Sequence, residues 1–110
     1  MQIEIITKKK DLSLIRHEWN DLFVASSSSI FQSFNFCFFS WKEVVNVEER
    51  SQLAVVIVRI KKKIIAIFPF YIDHNSVLRI INDIHCDFCD CLLKEEVDFS
   101  QILSILRKRF

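Results

Sequence analysis

Glycine is absent from this sequence, and proline occurs once, at Pro69. Average usage would place about seven or eight glycines in a chain of this length. Glycine is the usual residue in left-handed turns and wherever the backbone must come close to a phosphate group. Its absence therefore argues against cofactor sites in which a glycine-rich loop and a helix N-terminus hold a pyrophosphate.

A strong excess of charge of one sign is also missing. Fifteen Lys and Arg side chains are balanced by fourteen Asp and Glu side chains, which leaves a formal net charge of +1. Proteins that bind nucleic acids usually carry a marked positive excess, because much of their affinity comes from phosphate contacts. We therefore expect no nucleic-acid partner.

No apolar run reaches the length of about 20 residues that a membrane-spanning helix needs. The longest candidate, residues 53–72, is interrupted by Arg59 and by three lysines at 61–63. The amino-terminal sequence MQIEIITKKK places its charges after its apolar residues, unlike a secretory signal. We expect no membrane span and a reducing cytoplasmic location, in which the four cysteines remain thiols.

The residues that are present predict a single domain over positions 1–110. Apolar residues make up 51% of the chain and include eleven phenylalanines, which is too apolar for a disordered protein. A chain of this length forms one domain at most, with a modest core.

The first half of the sequence predicts a strand followed by two helices. Polar and apolar residues alternate over residues 2–7, as in a half-buried strand. Asp11 is a candidate N-cap for a helix that runs to about Ala25. Ser33 is a candidate cap for a second helix. The apolar stripe of that helix comprises Phe34, Cys37, Phe38, Trp41 and Val45.

The next segment predicts a central antiparallel hairpin. Two runs rich in valine and isoleucine, residues 53–60 and 64–71, are joined by the three lysines. Strands with such continuous apolar sequence are usually buried on both faces of a sheet. Since Pro69 has no N–H group, the second strand should have a bulge or an unpaired edge at that residue.

The remaining sequence predicts a turn at 73–76, a strand at 77–81 and a final helix. That helix begins at Asp98, with Gln101 as its capping-box partner. The element order is therefore β-α-α-β-β-β-α. We expect an α+β fold in which helices pack on a mostly antiparallel sheet.

Residues 85–91, with the sequence HCDFCDC, contain three of the four cysteines. Structural zinc sites favour the spacing of Cys86 and Cys89, and His85 and Cys91 could complete four ligands. However, ligands within seven consecutive residues cannot easily surround a tetrahedral ion, and the two aspartates of the segment disfavour the thiolate that a metal requires. We interpret the cluster as mainly structural and predict no metal site.

Two further groups of residues are candidates for function. His85 beside Asp87 or Asp90 could orient an imidazole for base catalysis, although such neighbours at strand ends are more often simple polar loop residues. Phe36 and Phe39 fall outside the apolar stripe of the second helix. They therefore predict a second buried surface, against another domain.

Four motifs follow one another in a recognisable order. They are a Trp-x-x-Leu helix, a Phe-Gln-Ser entry to an aromatic helix, an apolar-Pro-apolar step and an acidic segment with an aromatic residue. The residues that carry them are Trp19, Leu22, Phe31, Gln32, Ser33, Trp41, Phe68, Pro69, Phe70, Asp87, Phe88 and Asp90. In this order they resemble the N-terminal half of the CelD-like acetyltransferases, cellulose-biosynthesis-type members of the GNAT superfamily related to FemAB-type transferases. The last motif departs from that family's Ser-Asp-Tyr-x-Asp pattern, because Cys86 and Phe88 replace Ser and Tyr.

The resemblance implies a GNAT-like half-domain, incomplete relative to the family. Family members resemble two GNAT-like halves in tandem, with the acyl-CoA site assigned to the second half. Here the connection at 94–98, which corresponds to the GNAT cofactor turn, has three acidic residues and no glycine. Negative charge there would repel a pyrophosphate. We therefore expect a non-catalytic or truncated half of a polysaccharide-biosynthesis acyltransferase, with acetyl-CoA implied only for the full-length family.

Such a half is expected to act with a missing C-terminal half or with a protein partner. One alternative is a stand-alone protein-interaction module, and a second is a small, active N-acetyltransferase that depends on acetyl-CoA. We predict no catalytic or cofactor-binding residue in this chain. The predicted substrate-contact or domain-interface residues are Phe31, Gln32, Phe36, Phe39, Asp87, Phe88 and Asp90.

Overall fold

The computed structural model describes residues 2–26, 33–45, 50–81 and 92–93, and the single positions 100, 104, 107 and 108. Within these residues the chain has the predicted α+β fold. The strands are β1 (Gln2–Ile6), β2 (Gln52–Leu53), β3 (Val55–Ile60), β4 (Lys63–Phe68), β5 (Phe70–Ile72), β6 (Leu78–Ile80) and β7 (Leu92–Leu93). The helices are α1 (Lys9–Leu14), α2 (Arg16–Ala25) and α3 (Phe34–Ser40).

The predicted first helix is wrong in one respect, because the segment forms two helices that meet at Ile15. The N–H of Ile15 donates to the carbonyl of Leu12 at 3.2 Å, three residues back, which tightens the chain at this point. Leu12, Ile15 and Trp19 are all buried, so both helices contribute to one core. Asp11 is not the N-cap, which is Lys8. It lies in the first turn of α1, where a carboxylate suits the positive end of the helix.

Helix α3 begins where the sequence predicts, with Ser33 as its cap. Ser33 has an extended backbone, and its hydroxyl accepts a hydrogen bond from the N–H of Phe36 at 3.3 Å. From Trp41 the helix continues as a π-helical turn, Trp41–Val45. The predicted apolar stripe is confirmed where its side chains are described, with Phe34, Cys37 and Trp41 buried and Phe38 half-buried.

The larger sheet has the strand order β1-β3-β4-β7, and each neighbouring pair is antiparallel. The predicted hairpin is confirmed, because β3 and β4 are the two central strands. Both faces of the hairpin are buried. On the helical side, the core contains Val55, Ile57 and Ile67. On the opposite face, a second cluster contains Val56, Val58, Ala66 and Phe68. Burial of each large apolar side chain contributes about 1.5–3 kcal/mol, so the hairpin is the energetic centre of the fold.

The hairpin divides between two sheets at Ala54 and Pro69. The N–H of Ala54 donates to the carbonyl of Phe70 at 3.1 Å, and that of Ile81 to the carbonyl of Pro69 at 2.7 Å. Beyond this point β2 and β5 leave the larger sheet and form a smaller one with β6, in the order β2-β5-β6. The prediction of one strand over 64–71 is therefore wrong. Because Pro69 has no N–H, the ladder of β4 cannot continue through it, and a new strand begins.

The predicted turn at 73–76 is confirmed and is organised by Asp73. Its Oδ1 accepts hydrogen bonds from the N–H groups of Val77 at 3.0 Å and Asn75 at 2.9 Å. These bonds, led by that from Val77, lower the pKa of Asp73 because they favour its ionised form. Ser76 has a left-handed backbone, with φ of 63°, and β6 follows as predicted.

Only part of the predicted final helix is described. The backbone is helical at positions 100, 104 and 107, and these exposed residues are spaced four and three apart, as on one helical face. Asp98 and Gln101, the predicted cap and its partner, lie outside the described residues. None of the described helices combines the length and the apolar character that crossing a lipid bilayer requires.

Candidate functional site

Of the seven predicted site residues, Phe36 and Phe39 are described, and both lie on α3. Phe31, Gln32, Asp87, Phe88 and Asp90 lie outside the described residues, and so does the rest of the cysteine cluster at 85–91. Within the described part of the chain, no three His, Cys, Asp or Glu side chains come together as metal ligands.

Phe39 lines a groove between the α1–α2 junction and α3, which we call the aromatic groove. Phe39 is 61% exposed although it is fully apolar. The groove has a volume of about 410 Å³. It is lined by Ser13, Arg16, Phe34, Asn35, Phe38, Phe39, Lys42 and Glu43. Phe36 is half-buried and does not line the groove, so the structure separates the two predicted phenylalanines.

The floor of the aromatic groove is anchored in the core. The rings of Phe34 and Phe38 are stacked, with their centroids 5.3 Å apart. Phe34 also meets Trp19 edge to face at 5.6 Å. Such pairs contribute about 0.5–1.5 kcal/mol beyond their buried area. Aromatic contacts therefore connect the floor of the groove to the core.

Positive charge lies along the rim of the groove. The guanidinium carbon of Arg16 lies 5.7 Å from the centroid of the Phe34 ring, within the range of a cation–π interaction. Nζ of Lys42 lies 3.7 Å from a carboxylate oxygen of Glu43, and both of these side chains are about half exposed. In the described part of the chain, no carboxylate forms an ion pair with Arg16.

A second polar cluster joins Arg59 to Glu4 and Glu18. The Nε atom of Arg59 donates to Glu4 at 2.5 Å, and its two terminal nitrogens donate to the carboxylate of Glu18 at 2.6 and 3.2 Å. The Nη1 atom also donates to the carbonyl of Lys62 at 3.1 Å. Arg59 follows an irregularity in the β3–β4 register at Val58. The cluster therefore ties β1, α2 and the hairpin turn together.

The electrostatics of this cluster are those of a structural contact. The hydrogen bonds from Arg59 hold the pKa of Glu18 below its ordinary value, and partial burial opposes that shift. The same bonds raise the pKa of Arg59, with the bond to Glu18 as the largest cause. Both groups are thus fixed in their charged forms. Neither is poised to exchange a proton near neutral pH.

The described histidines do not form a catalytic arrangement. His17 is exposed, and its Nε2 lies 3.8 Å from Oδ2 of Asp21, which is also exposed. His74 is exposed in the turn before β6. Cys37 is buried in the core, as predicted from its place on the apolar stripe.

Sequence reasoning identified Phe39 but missed Arg16, Lys42 and the Arg59 cluster. Phe39 can be recognised because it falls outside a helical stripe. Arg16 joins the groove because the chain tightens at Ile15 and α2 packs beside α3, neither of which is encoded in a local pattern. Arg59 contacts a residue 41 positions away, and no periodic signal predicts such a partner.

Comparison with protein-family models, with curated proteins and with solved structures finds no match to this chain.

Proposed function

We propose that this chain is the non-catalytic N-terminal half of a CelD-like acyltransferase of GNAT type and acts in the cytoplasm. It works with a second half that carries the acyl-CoA site, supplied by the same polypeptide or by another chain. The observation that carries the proposal is the strand order of the larger sheet. In it β1, the two hairpin strands and β7 lie side by side in chain order and antiparallel, with the helices α1–α3 between the first and second of these strands.

That order supports the proposal because the first half of a GNAT fold has this arrangement. The smaller sheet of β2, β5 and β6 is then an elaboration at the base of the hairpin, made where Pro69 interrupts the ladder. Among the described strands, β4 is the one that pairs with β7. The outward edge of β7 is therefore where we place the contact with the second half, because an edge strand offers unpaired N–H and C=O groups.

The chemistry of the chain supports a non-catalytic role. In the described residues, the groups with displaced pKa values are Glu18, Arg59 and Asp73, and each of them is held by a structural partner. The connection at 94–98, outside the described residues, has three acidic side chains and no glycine. That composition does not suit a pyrophosphate, so acetyl-CoA belongs to the second half in this proposal.

Light scattering during size-exclusion chromatography tests the proposed edge contact. Isolated from its second half, the chain should self-associate with rising concentration. In an antiparallel pair, alternate residues direct their N–H groups toward the partner strand and away from it. One of Leu92→Pro and Leu93→Pro therefore removes only an outward N–H group, and that variant should remain folded and monomeric. A wild-type chain that stays monomeric at every concentration would contradict the proposed edge, as would self-association of both variants to the wild-type extent.

A further inference from the structure

We propose that the aromatic groove is a docking site for an acidic amphipathic helix of a partner protein. The proposal is independent of the acyltransferase half, because it rests on α1, α2 and α3 and not on the edge of β7. The groove joins an exposed aromatic side chain, an aromatic floor and a positively charged rim within one cleft.

The apolar part of the groove accounts for affinity. The side chain of Phe39 is 61% exposed, although its neighbour Phe34 is buried in the core and Phe38 packs against that core. Covering an exposed phenylalanine in a pocket is a favourable contact, since aromatic anchors dominate binding energy at interfaces. The volume of about 410 Å³ lies within the range of small ligand sites and accommodates large apolar side chains.

The charged residues of the groove determine which sign of charge the partner should carry. Arg16 and Lys42 provide two positive charges, and Glu43 provides one negative charge. Lys9 lies one helical turn before Ser13, which accordingly faces the same side of α1, and Ser13 donates to the carbonyl of Lys9 at 3.3 Å. Lys9 thus shares a face of α1 with a residue that lines the groove, although it does not itself line it. A segment with Asp or Glu beside its apolar residues complements this rim, and a basic segment is repelled.

The walls of the groove select the conformation of the partner. Both walls are helices, and helices have no free ladder of N–H and C=O groups along their sides to which an extended peptide could add. A helix instead inserts apolar side chains from successive turns, at spacings of three and four residues. A membrane surface is a poorer fit, because recognition of anionic lipid usually takes a cluster of about four to eight basic residues. Among the lining residues of the groove, Arg16 and Lys42 are basic.

Selection from a randomised library of displayed helical peptides tests the proposal. The wild-type chain is the target, and the Phe39→Ser variant is used for counter-selection. Enriched peptides should carry Leu, Phe or Trp at spacings of three and four, together with Asp or Glu. Enrichment of basic or uncharged peptides would overturn the proposal, and so would failure to enrich any peptide whose binding needs Phe39.

Binding of a selected peptide to matched variants completes the test. Phe39→Ser should weaken binding about tenfold or more, whereas Val24→Ser should leave it unchanged. Val24 is the appropriate control, because it is 83% exposed on α2 and does not line the groove. Equal effects of the two substitutions would contradict the docking site.

Reversing the charge of Arg16 distinguishes specific docking from non-specific hydrophobic binding. Arg16→Glu should weaken binding of the acidic peptide. It should strengthen binding of a second peptide in which Lys replaces each Asp and Glu. Equal affinity of Arg16→Glu for the two peptides would overturn the proposed role of the rim. Phosphatidylserine vesicles provide the final arm. The wild-type chain could bind these vesicles while both Phe39→Ser and Arg16→Glu fail to bind them. If no peptide is enriched either, that result would identify the groove as a membrane-binding site and refute the proposal of a partner helix.

Discussion

Because the sequence has no glycine, the hairpin turn places Lys61 and Lys62 in a backbone conformation that glycine would favour, and substitution there should change the stability of the fold. Both residues are left-handed, with φ of 51° and 69°, and they connect β3 to β4 directly, with Ile60 opposite Lys63. Two-residue turns of this kind prefer Asn followed by Gly. The left-handed conformation costs a residue other than glycine about 1–2 kcal/mol. The turn that connects the two strands of the central hairpin is therefore conformationally unfavourable.

Replacing Lys61 with Asn and Lys62 with Gly should stabilise the fold. Removing the unfavourable left-handed conformation at Lys62 should raise the free energy of unfolding by about 1–2 kcal/mol. The greater freedom of glycine in the unfolded chain lowers it by about 0.5–1 kcal/mol. Asn tolerates the left-handed region and contributes a few tenths more. The net gain is about 1 kcal/mol, or roughly 4 °C in Tm for a domain of this size. The hydrogen bond from Arg59 survives, because it uses the backbone carbonyl of Lys62.

Urea denaturation measures this gain, and two control variants isolate its cause. Lys61→Gln combined with Lys62→Gln removes the same two charges without relieving the backbone, so it should leave stability nearly unchanged. Lys63→Gly places glycine at the first residue of β4 and should cost about 0.5–1 kcal/mol. The reasoning fails if the Asn-Gly variant is no more stable than the double-Gln variant, provided that the m-value is the same in both.

Three other substitutions test the contacts that organise the fold. Arg59→Met should lower the free energy of unfolding by about 1 kcal/mol, because its carboxylate partners stay partly exposed and can be hydrated. Equal stability of the two proteins in urea denaturation at pH 7 would contradict this prediction. The lowered pKa of Glu18 means that its contribution is complete above its unfolded pKa, about 4.3, and is lost as pH falls through the folded value. Stability should therefore fall more steeply in wild type than in Arg59→Met when pH drops below about 4.3, and parallel pH profiles would exclude this assignment. Ser33→Ala should cost about 1 kcal/mol through loss of the cap of α3, whereas Ser33→Asp should retain most of it, and equal losses would argue against capping. Asp73→Ala should destabilise the turn before β6 more than Asp73→Asn, whose amide oxygen still accepts from the backbone, and amide hydrogen exchange of β6 measures the difference.

Local sequence patterns predicted those parts of the fold whose causes are local. The cap at Ser33, the stripe of Phe34, Cys37 and Trp41, and the turn at 73–76 each depend on residues within a few positions of one another. The central hairpin was also predictable, because continuous valine and isoleucine indicate burial on two faces. These elements formed where they were expected.

The features that escaped prediction depend on contacts between distant segments. The division of the hairpin between two sheets requires β6 to pair with β5, and only the role of Pro69 gave a partial signal. The break at Ile15 follows from the demand that Leu12, Ile15 and Trp19 share one core. In the groove, Phe39 was predictable as an exposed aromatic residue, but Arg16 was not, because its place depends on how α2 packs beside α3.

Calorimetric titration of the isolated chain with acetyl-CoA tests the proposed function most directly. We predict no saturable heat, because the proposed function assigns the coenzyme to a second half. Saturable binding with a micromolar dissociation constant would contradict that division of labour.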